Sequence, residues 1–424
     1  MQGQNLYLKA KKIIPGGNML LSKRPEMFLP NLWPSYFSKT KDCYVWDLDN
    51  NKYTDISHMG VGTNSLGYSN QSVDNAVRSV IDKGNMSTLN CPEEVELAER
   101  LIELHEWAEM VRFARTGGEA NAIAVRIARA ASGKDKVAIC GYHGWHDWYL
   151  SANIKNNQNL NNHLLSGLDS TGVPKSLIGT VIPFQYNDID QIRKIVQDNP
   201  DLGAIKMEVV RSTEPKPGYL EEIRSLCDKN NIVLIFDECT SGFRETFGGI
   251  HKKYGVSPDM CMFGKALGNG YAITAVIGKR EIMESAQTTF ISSTFWTERI
   301  GPSAAIATLN EMNVNKSWEF NKQQGAKIKK GWESIASNLD FDLNITGLDA
   351  LATFNIKSKN WLKYKTFITQ SMLENKFLAA NTVYLSLKHS DKIIDQYFQY
   401  LTPVFEKIES FEKDQDSGIS ISTS

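Results

Sequence analysis

The stretch IVLIFDE, residues 232–238, decides the fold that the sequence predicts. It opens with five apolar residues in a row, three of them β-branched, and such a run is typical of a strand buried on both faces of a sheet. Comparable runs at 137–140, 204–210 and 260–263 alternate with longer amphipathic stretches between about residues 111 and 278. This alternation predicts an α/β fold in which helices cover both faces of a mostly parallel sheet.

The organisation predicted along the 424-residue chain places this sheet in a large domain, residues 66–308. Residues 309–413 mix helical and short β-prone segments, which predicts a smaller α+β domain. Residues 1–65 contain a strand–turn–strand signal at 44–53 but cannot form a core alone, so we expect them to pack with the small domain. Residues 414–424 are rich in Ser, Asp and Gly, and we expect a disordered tail there.

Composition and charge narrow the class of protein. Forty-seven basic and forty-eight acidic side chains give a formal net charge of −1, so no overall attraction to nucleic acid or to an anionic membrane is expected. The six cysteines include no C-x-x-C pair, which indicates reduced thiols rather than a disulfide framework or a zinc site. We expect a cytoplasmic protein, because the amino terminus lacks the features of a signal peptide and no apolar stretch is long enough to span a bilayer.

A glycine turn opens an amphipathic helix at residues 115–119, RTGGE. Backbone N–H groups at the start of a helix attract an anion such as phosphate, and glycines let the ligand approach the main chain closely. Thr116, Gly117 and Gly118 are therefore candidate phosphate-binding residues. The alternative, which this motif taken alone favours, is an ordinary helix start with Thr116 as the cap.

A carboxylate ends the strand predicted at residues 232–236. Asp237 follows the apolar run directly, and an ionised carboxylate in such a place needs a cation or a proton donor as partner. A pyridine nitrogen that must stay protonated to withdraw electrons is such a partner. A helix cap or an internal ion pair with Arg244 is the alternative.

A lysine lies in a glycine-rich turn after another apolar run, in the segment FGKALGNG at 263–270. A partly desolvated Lys265 would have a lowered pKa, and the neutral amine is the form that condenses with an aldehyde. The motif of a phosphate-binding loop, G-x-x-x-x-G-K followed by Ser or Thr, is absent, because Ala266 follows the lysine. The alternative is a solvated surface lysine.

These three elements come after successive strands of one predicted sheet, where the carboxyl ends of parallel strands form ligand sites. A phosphate cradle, a carboxylate for a ring nitrogen and an amine for an aldehyde are together what pyridoxal 5'-phosphate requires. Each element is weak alone, but their order and placement predict this cofactor.

With these motifs the sequence resembles the class III pyridoxal-phosphate-dependent aminotransferases, and most closely their glutamate-1-semialdehyde 2,1-aminomutase branch. The resemblance covers most of the chain and rests on segments found in this order: PGG at 15–17, YHG at 142–144, PGYL at 217–220, LIFDE at 234–238, GFR at 242–244, YGVSPD at 254–259 and GK at 264–265. It implies a fold-type-I homodimer with active sites at the subunit interface.

The resemblance also implies roles for the matching residues. Lys265 would form a Schiff base with the cofactor and then move a proton between cofactor and substrate carbons. Asp237 would pair with the pyridinium nitrogen, and Tyr142 would stack on the ring. The other residues expected to bind the cofactor lie at its phosphate or beside its ring: Thr116, Gly117, Gly118, His143, Glu208, Cys239 and Thr294, the last from the neighbouring subunit.

Departures from the family pattern concern the substrate more than the cofactor. Cys239 replaces a valine expected against the ring, residues 208–213 are EVVRST where aminomutases carry Glu-Pro and a following Asn, and residues 293–299 are STFWTER where they carry Gly-Thr-x-x-Gly-Asn-Pro. We therefore expect a rebuilt pocket. Arg24 lies in the segment that holds the aminomutase arginine for the substrate carboxylate, and a surface role is an equal alternative for it.

No metal site is predicted. His143, His146 and Asp147 are close together in the sequence, but two histidines in a loop without a further cluster of ligands fall short of a zinc site.

The predicted function is amino-group transfer to or from an amino acid or a specialised, for example carbohydrate-linked, carbonyl compound. Glutamate-1-semialdehyde 2,1-aminomutase activity is the alternative within the same chemistry, because transaminase and mutase differ in whether the intermediate leaves. A non-catalytic dimeric scaffold is the alternative of another class, and the presence of Lys265, Asp237 and Tyr142 together disfavours it. A nucleotide-dependent oxidoreductase is disfavoured by the lack of G-x-G-x-x-G after a strand.

Overall fold

A computed structural model describes residues 1–163, 166–339, 342–413, 419 and 421 of the chain. The predicted disordered tail at 414–424 lies, except for two residues, outside these described residues. The chain divides into two compact units: one comprises Met1–Gln71 and Asn315–Ser424, and the other comprises Ser72–Val314.

The strands, in chain order, are β1 (Phe37–Lys41), β2 (Tyr44–Asp47), β3 (Lys52–Asp55), β4 (Met110–Ala114), β5 (Lys136–Cys140), β6 (Val181–Pro183), β7 (Leu202–Met207), β8 (Val233–Asp237), β9 (Met260–Phe263), β10 (Thr274–Gly278), β11 (Leu343–Thr346), β12 (Leu351–Ile356), β13 (Phe377–Leu378) and β14 (Thr382–Tyr384). The helices are α1 (Gln2–Ile13), α2 (Met59–Gly62), α3 (Gln71–Lys83), α4 (Pro92–Glu103), α5 (Gly117–Ser132), α6 (Asp147–Leu150), α7 (Ile189–Asp198), α8 (Tyr219–Asn230), α9 (Arg280–Met283), α10 (Ile300–Asn315), α11 (Ser317–Asn338), α12 (Trp361–Glu374) and α13 (Asp391–Lys413).

The unit of residues 72–314 is built on a seven-stranded sheet with the order β4-β10-β9-β8-β7-β5-β6. Neighbouring strands from β6 to β9 pair in parallel, and β10 is antiparallel to both β9 and β4. Since β10 reverses the direction twice, β4 runs the same way as β9. The mostly parallel α/β sheet predicted from the apolar runs is confirmed.

One predicted strand was too long. The run at 204–210 was expected to be a strand throughout, but β7 ends at Met207. Glu208 still donates its N–H to the carbonyl of Cys140 at 3.0 Å, and the next two residues leave the ladder although both are buried. Burial, rather than strand pairing, therefore explains the apolar character of Val209 and Val210.

The pairing register brings the strand ends that matter together. Cys140 pairs with Met207, Met207 pairs with Phe236, and Asp237 pairs with Met262. The loops after β5, β7, β8 and β9 therefore leave the sheet at one edge, where ligands bind in parallel α/β sheets. This edge carries the predicted site.

The other unit contains two smaller sheets, β1-β2-β3-β13 and β11-β12-β14. The predicted strand–turn–strand at 44–53 is present as the antiparallel pair β2 and β3, and β3 pairs in parallel with β13 from the carboxyl-terminal part of the chain. Its core includes Trp332, whose indole N–H donates to the hydroxyl oxygen of Tyr397 at 3.1 Å. Among the helices that the structure describes, none has both the length and the apolar character required to cross a membrane.

Candidate active site

Lys265 lies two residues beyond the end of β9, at the start of a 3-10 turn, Lys265–Gly268. Its backbone has a φ of 43°, a left-handed conformation that residues with a side chain adopt rarely. Its Nζ donates a hydrogen bond of 2.9 Å to the Oγ1 of Thr240. Burial, followed by the charges of Arg211 and Arg244, lowers the pKa of Lys265 from 10.5 to about 8, so about one-tenth of the amine is neutral at pH 7.

Asp237 is the last residue of β8 and is 4% exposed. Its Oδ2 lies 2.8 Å from the Nδ1 of His143, and its Oδ1 accepts the backbone N–H of Cys239 at 3.1 Å. Burial raises the pKa of Asp237, but the charge of Lys206 and the hydrogen bond from His143 outweigh burial, so the pKa is lowered overall. The carboxylate is therefore ionised in this buried position.

His143 is fully buried beside Asp237. Burial and the neighbouring charge of Lys206 lower the pKa of His143, which outweighs the opposing effect of Asp237. The imidazole is therefore neutral, and since an ionised carboxylate can only accept, Nδ1 carries the hydrogen of this bond. The sequence predicted His143 as a cofactor-binding residue, and the structure places its Nδ1 2.8 Å from the Oδ2 of Asp237.

The start of α5 has the features of both interpretations considered for it. Thr116 caps the helix, because its hydroxyl accepts the N–H of Glu119 while the Glu119 carboxylate accepts the N–H of Thr116. Among the contacts that the structure describes, none occupies the N–H of Gly117 or Gly118, and the first N–H groups of a helix lack intrahelical partners. The Thr116 cap therefore leaves the N–H groups of Gly117 and Gly118 without a described partner, as the predicted phosphate site requires.

The sulfur of Cys239 lies near both Gly117, at the start of α5, and Gly264, which precedes Lys265. A Cβ added to Gly117 would meet only the Sγ of Cys239, at 4.0 Å, and one added to Gly264 would lie 3.5 Å from the same sulfur. The thiol is buried strongly enough for burial to raise its pKa well above 9.0. Cys239 is thus an uncharged packing group between the predicted phosphate cradle and Lys265.

The loop after β5 is tied to the end of β7 by Glu208. The buried carboxylate of Glu208 accepts the N–H of Tyr142 at 3.1 Å and is paired with Arg211, whose Nη1 lies 2.8 and 3.0 Å from the two carboxylate oxygens. Gly141 has a φ of +124°, and a Cβ there would lie 2.7 Å from the same carboxylate. Because the carboxylate lies this close, position 141 requires glycine. The bond from the Tyr142 N–H to Glu208 fixes the position of the Tyr142 backbone.

Two further residues singled out in the sequence are Thr294 and Arg24. Thr294 is exposed at the start of the 3-10 turn Thr294–Thr297, and among the described contacts its carbonyl accepts a hydrogen bond from the hydroxyl of Thr297. Arg24 belongs to the other unit, where its guanidinium lies against Gly16.

Sequence reasoning missed Lys206 and Thr240. Lys206 is the second-to-last residue of β7, with its Nζ 3.7 Å from the Oδ2 of Asp237. A lysine inside an otherwise apolar run was the available signal for it. Thr240 offered no comparable signal, because a threonine in a polar turn is common.

One group of potential metal ligands is present among the described residues: Glu238, His251 and Cys261. The His251 Nδ1 is 2.6 Å from the Glu238 carboxylate, and the indole N–H of Trp107 donates to the His251 Nε2 at 3.0 Å. Both imidazole nitrogens are therefore engaged in hydrogen bonds, and we interpret the group as a buried structural network.

Known proteins resemble the chain along most of its length. The sequence profile of the family described as Aminotransferase class-III matches residues 31–382. A 3-aminobutyryl-CoA aminotransferase of Cloacimonas acidaminovorans (strain Evry) is 33% identical over 405 residues, covering 92% of this chain and 93% of that protein. A glutamate-1-semialdehyde 2,1-aminomutase of Methanocaldococcus jannaschii is 29% identical over 436 residues, covering 96% and 99%.

The fold is also found among solved structures. The FumI protein of Sphingopyxis sp. MTA144, in its PLP internal aldimine form, superimposes with a TM-score of 0.87 over 97% of both chains, at 21% identity. This likeness confirms the predicted fold-type-I architecture.

Proposed function

The chain belongs to the class III aminotransferase family, and from this premise we propose that it moves an amino group between an amino acid and a specialised carbonyl substrate. Its cofactor is pyridoxal phosphate, as predicted. The observation that carries the proposal is the position of two groups at one edge of the sheet. The buried Asp237 carboxylate ends β8, and the Lys265 amine, bonded to Thr240, follows the neighbouring parallel strand β9. These two groups supply an amine for an aldehyde and an ionised carboxylate for a protonated ring nitrogen.

The residues at this edge fit the cofactor. Asp237 would hold the ring nitrogen, Lys265 would meet the aldehyde, and the open N–H groups of Gly117 and Gly118 would bind the phosphate. The space over Gly117, where an added Cβ would have one distant neighbour, is what a cradle for a ligand needs. When bound, pyridoxal phosphate supplies an electrophilic aldehyde and a ring that withdraws electrons from the neighbouring carbon.

Lys265 is the residue to which we assign the proton transfers. Because its pKa is lowered to about 8 by burial and by two arginine charges, its amine can accept a proton near neutral pH and give it back. The hydroxyl of Thr240 orients the Nζ at 2.9 Å. In the proposed reaction the Lys265 amine would take the proton from the substrate carbon and pass it to a carbon of the cofactor.

Asp237 is assigned to the ring nitrogen, with His143 positioning it. The hydrogen bond from the His143 Nδ1 fixes Oδ2, and an ionised carboxylate keeps a nearby pyridine nitrogen protonated. Tyr142 is proposed to stack on the ring, and Cys239, whose N–H donates to the Oδ1 of Asp237 at 3.1 Å, is proposed to pack against it.

A homodimer is part of the proposal. The family resemblance assigns Thr294 to the cofactor phosphate of the neighbouring subunit, and the exposed position of Thr294 agrees with a role outside its own chain.

We further propose that the substrate carries an acid group bound by Arg211. The Arg211 charge is close enough to lower the pKa of Lys265, and its guanidinium is about one-fifth exposed, at 20%. When no substrate is bound, the Arg211 guanidinium is paired with the carboxylate of Glu208. A bidentate guanidinium is well suited to a carboxylate or a phosphate.

The proposal is tested by a screen of amino donors and carbonyl acceptors with the purified enzyme. Transfer between two different compounds, with the donor converted to a carbonyl product, is the expected outcome. The aminomutase alternative is favoured by the relative from Methanocaldococcus jannaschii. Conversion of glutamate-1-semialdehyde without any second substrate would establish that alternative and overturn the proposed transfer between two substrates.

A further inference from the structure

A lysine is fully buried in the central sheet next to the active-site carboxylate. Lys206 lies within β7, where its register partners on the two sides are Ile139 and Ile235. Its Nζ is 3.7 Å from the Oδ2 of Asp237 and 3.4 Å from the sulfur of Met262. Lysine is rarely buried without a paired charge, so this position calls for a reason beyond packing.

Asp237 is the ion-pair partner that the structure describes for Lys206. A thioether sulfur is a weak acceptor, so Met262 cannot replace the water that the ammonium loses on burial. Desolvation lowers the pKa of Lys206, and the charge of Asp237 is the main influence opposing it. The charge state of Lys206 therefore depends on what else shares that carboxylate.

We propose that Lys206 is a positioning residue that shares the Asp237 carboxylate with the cofactor: it keeps Asp237 ionised before the cofactor binds, and afterwards it weakens the hold of Asp237 on the ring nitrogen. The inference rests on the proposed role of Asp237. Its consequence is a cofactor whose electron-withdrawing strength is set by a cation buried in the protein.

The two carboxylate oxygens of Asp237 face different partners. Oδ2 faces the His143 Nδ1 and the Lys206 Nζ, whereas Oδ1 accepts the N–H of Cys239. A carboxylate oxygen has two lone pairs, so Oδ1 retains capacity for the protonated ring nitrogen. Two cations on one buried anion repel each other, and each therefore lowers the proton affinity of the other.

Lys206→Met isolates this effect, because methionine is unbranched, has a similar length and suits the apolar neighbours. Lys136→Met is the matched control: Lys136 lies on the neighbouring strand β5, where it pairs with Asp201 at 2.9 Å and is 31% exposed. The holoenzyme is stripped of cofactor and titrated with pyridoxal phosphate, and separately with an analogue in which a CH group replaces the ring nitrogen. Fluorescence gives the dissociation constants.

We expect Lys206→Met to bind pyridoxal phosphate about tenfold more tightly than the native protein, and to bind the CH analogue with unchanged affinity. Lys136→Met is expected to match the native protein for both compounds. An equal change for both compounds, or no gain for pyridoxal phosphate, would overturn the inference while leaving the role of Asp237 intact. A native protein that binds both compounds equally would instead refute the role of Asp237.

A second comparison serves if Lys206→Met fails to fold. In Asp237→Asn the ammonium of Lys206 loses its anion, so the double variant Asp237→Asn/Lys206→Met should melt at a higher temperature than Asp237→Asn alone. A double variant that melts at the same or a lower temperature would show that Lys206 does not depend on Asp237 and would overturn the inference.

Discussion

The Nζ of Lys265 lies 2.9 Å from the Oγ1 of Thr240, a residue that follows the buried Asp237 by three positions. The end of β8 and the turn after it thus supply the buried carboxylate and the hydroxyl that accepts a hydrogen bond from the amine. Because β8 and β9 are neighbours in parallel register, the turns that carry Thr240 and Lys265 begin side by side at the ends of these strands.

Replacement of Lys265 by Ala should abolish turnover, with a loss of at least about a thousandfold, while the protein remains folded. In the proposed mechanism the amine both reacts with the cofactor and moves protons. Borohydride treatment followed by peptide mass analysis should find a cofactor adduct on the Lys265 peptide of the native protein and none in the variant. Lys194→Ala, on the exposed face of α7, is the control and should retain full activity. Preserved turnover in Lys265→Ala would refute the assignment.

The pH dependence of cofactor capture follows from the lowered pKa of Lys265. Only the neutral amine attacks an aldehyde, and with a pKa of about 8 the neutral fraction rises from about one-tenth at pH 7 to about nine-tenths at pH 9. The rate at which cofactor-free protein captures pyridoxal phosphate, followed by absorbance, should therefore rise about tenfold over this range and then level off. A rate that keeps rising tenfold per pH unit up to pH 10, as for an ordinary lysine, would contradict the predicted pKa.

Much of this site could be predicted from the sequence, because its residues follow apolar runs. The strands ending at Cys140, Asp237 and Phe263 were each indicated by such a run, and parallel strands with buried faces leave few topologies. Once the strand ends are known, the residues just beyond them share one edge. That is why Tyr142 and Lys265, from distant parts of the chain, could be expected together.

Other features depend on contacts between side chains, which a single sequence does not reveal. The choice of His143 and Lys206 as the partners of Asp237, instead of the predicted alternative Arg244, is set by the register of β5, β7 and β8. The left-handed backbone of Lys265 likewise has no sequence signature, since lysine is not a residue that favours it.

Asp237→Asn should lower turnover by about a hundredfold or more, because an amide cannot keep the ring nitrogen protonated. Reconstitution with a cofactor methylated at the ring nitrogen, which carries a fixed positive charge, should restore part of the activity. Asp259→Asn is the matched control: Asp259 is also buried but pairs with Arg224 and Lys279, at 3.0 and 2.7 Å. It should lower the melting temperature and leave the turnover of folded protein unchanged. Full activity of Asp237→Asn would exclude the proposed pairing.

The variant Gly117→Ala distinguishes the effect of this position on protein stability from its effect on cofactor affinity. An added Cβ at Gly117 would meet only the sulfur of Cys239, at 4.0 Å, and alanine favours a helix over glycine. The melting temperature of the cofactor-free variant should therefore stay the same or rise, while the methyl group intrudes on the bound phosphate and weakens cofactor affinity about tenfold or more.

Gly118→Ala gives the contrast for that prediction. Its Cβ would lie 2.6 Å from the Cε1 of His146 and 2.8 Å from the Nδ1, so the imidazole must move and the cofactor-free protein should melt at a lower temperature. Differential scanning fluorimetry and cofactor titration measure both quantities for each variant. If Gly117→Ala bound pyridoxal phosphate as tightly as the native protein, the phosphate could not lie against the start of α5, and the cradle inferred from Gly117 and Gly118 would have to be placed elsewhere at the sheet edge.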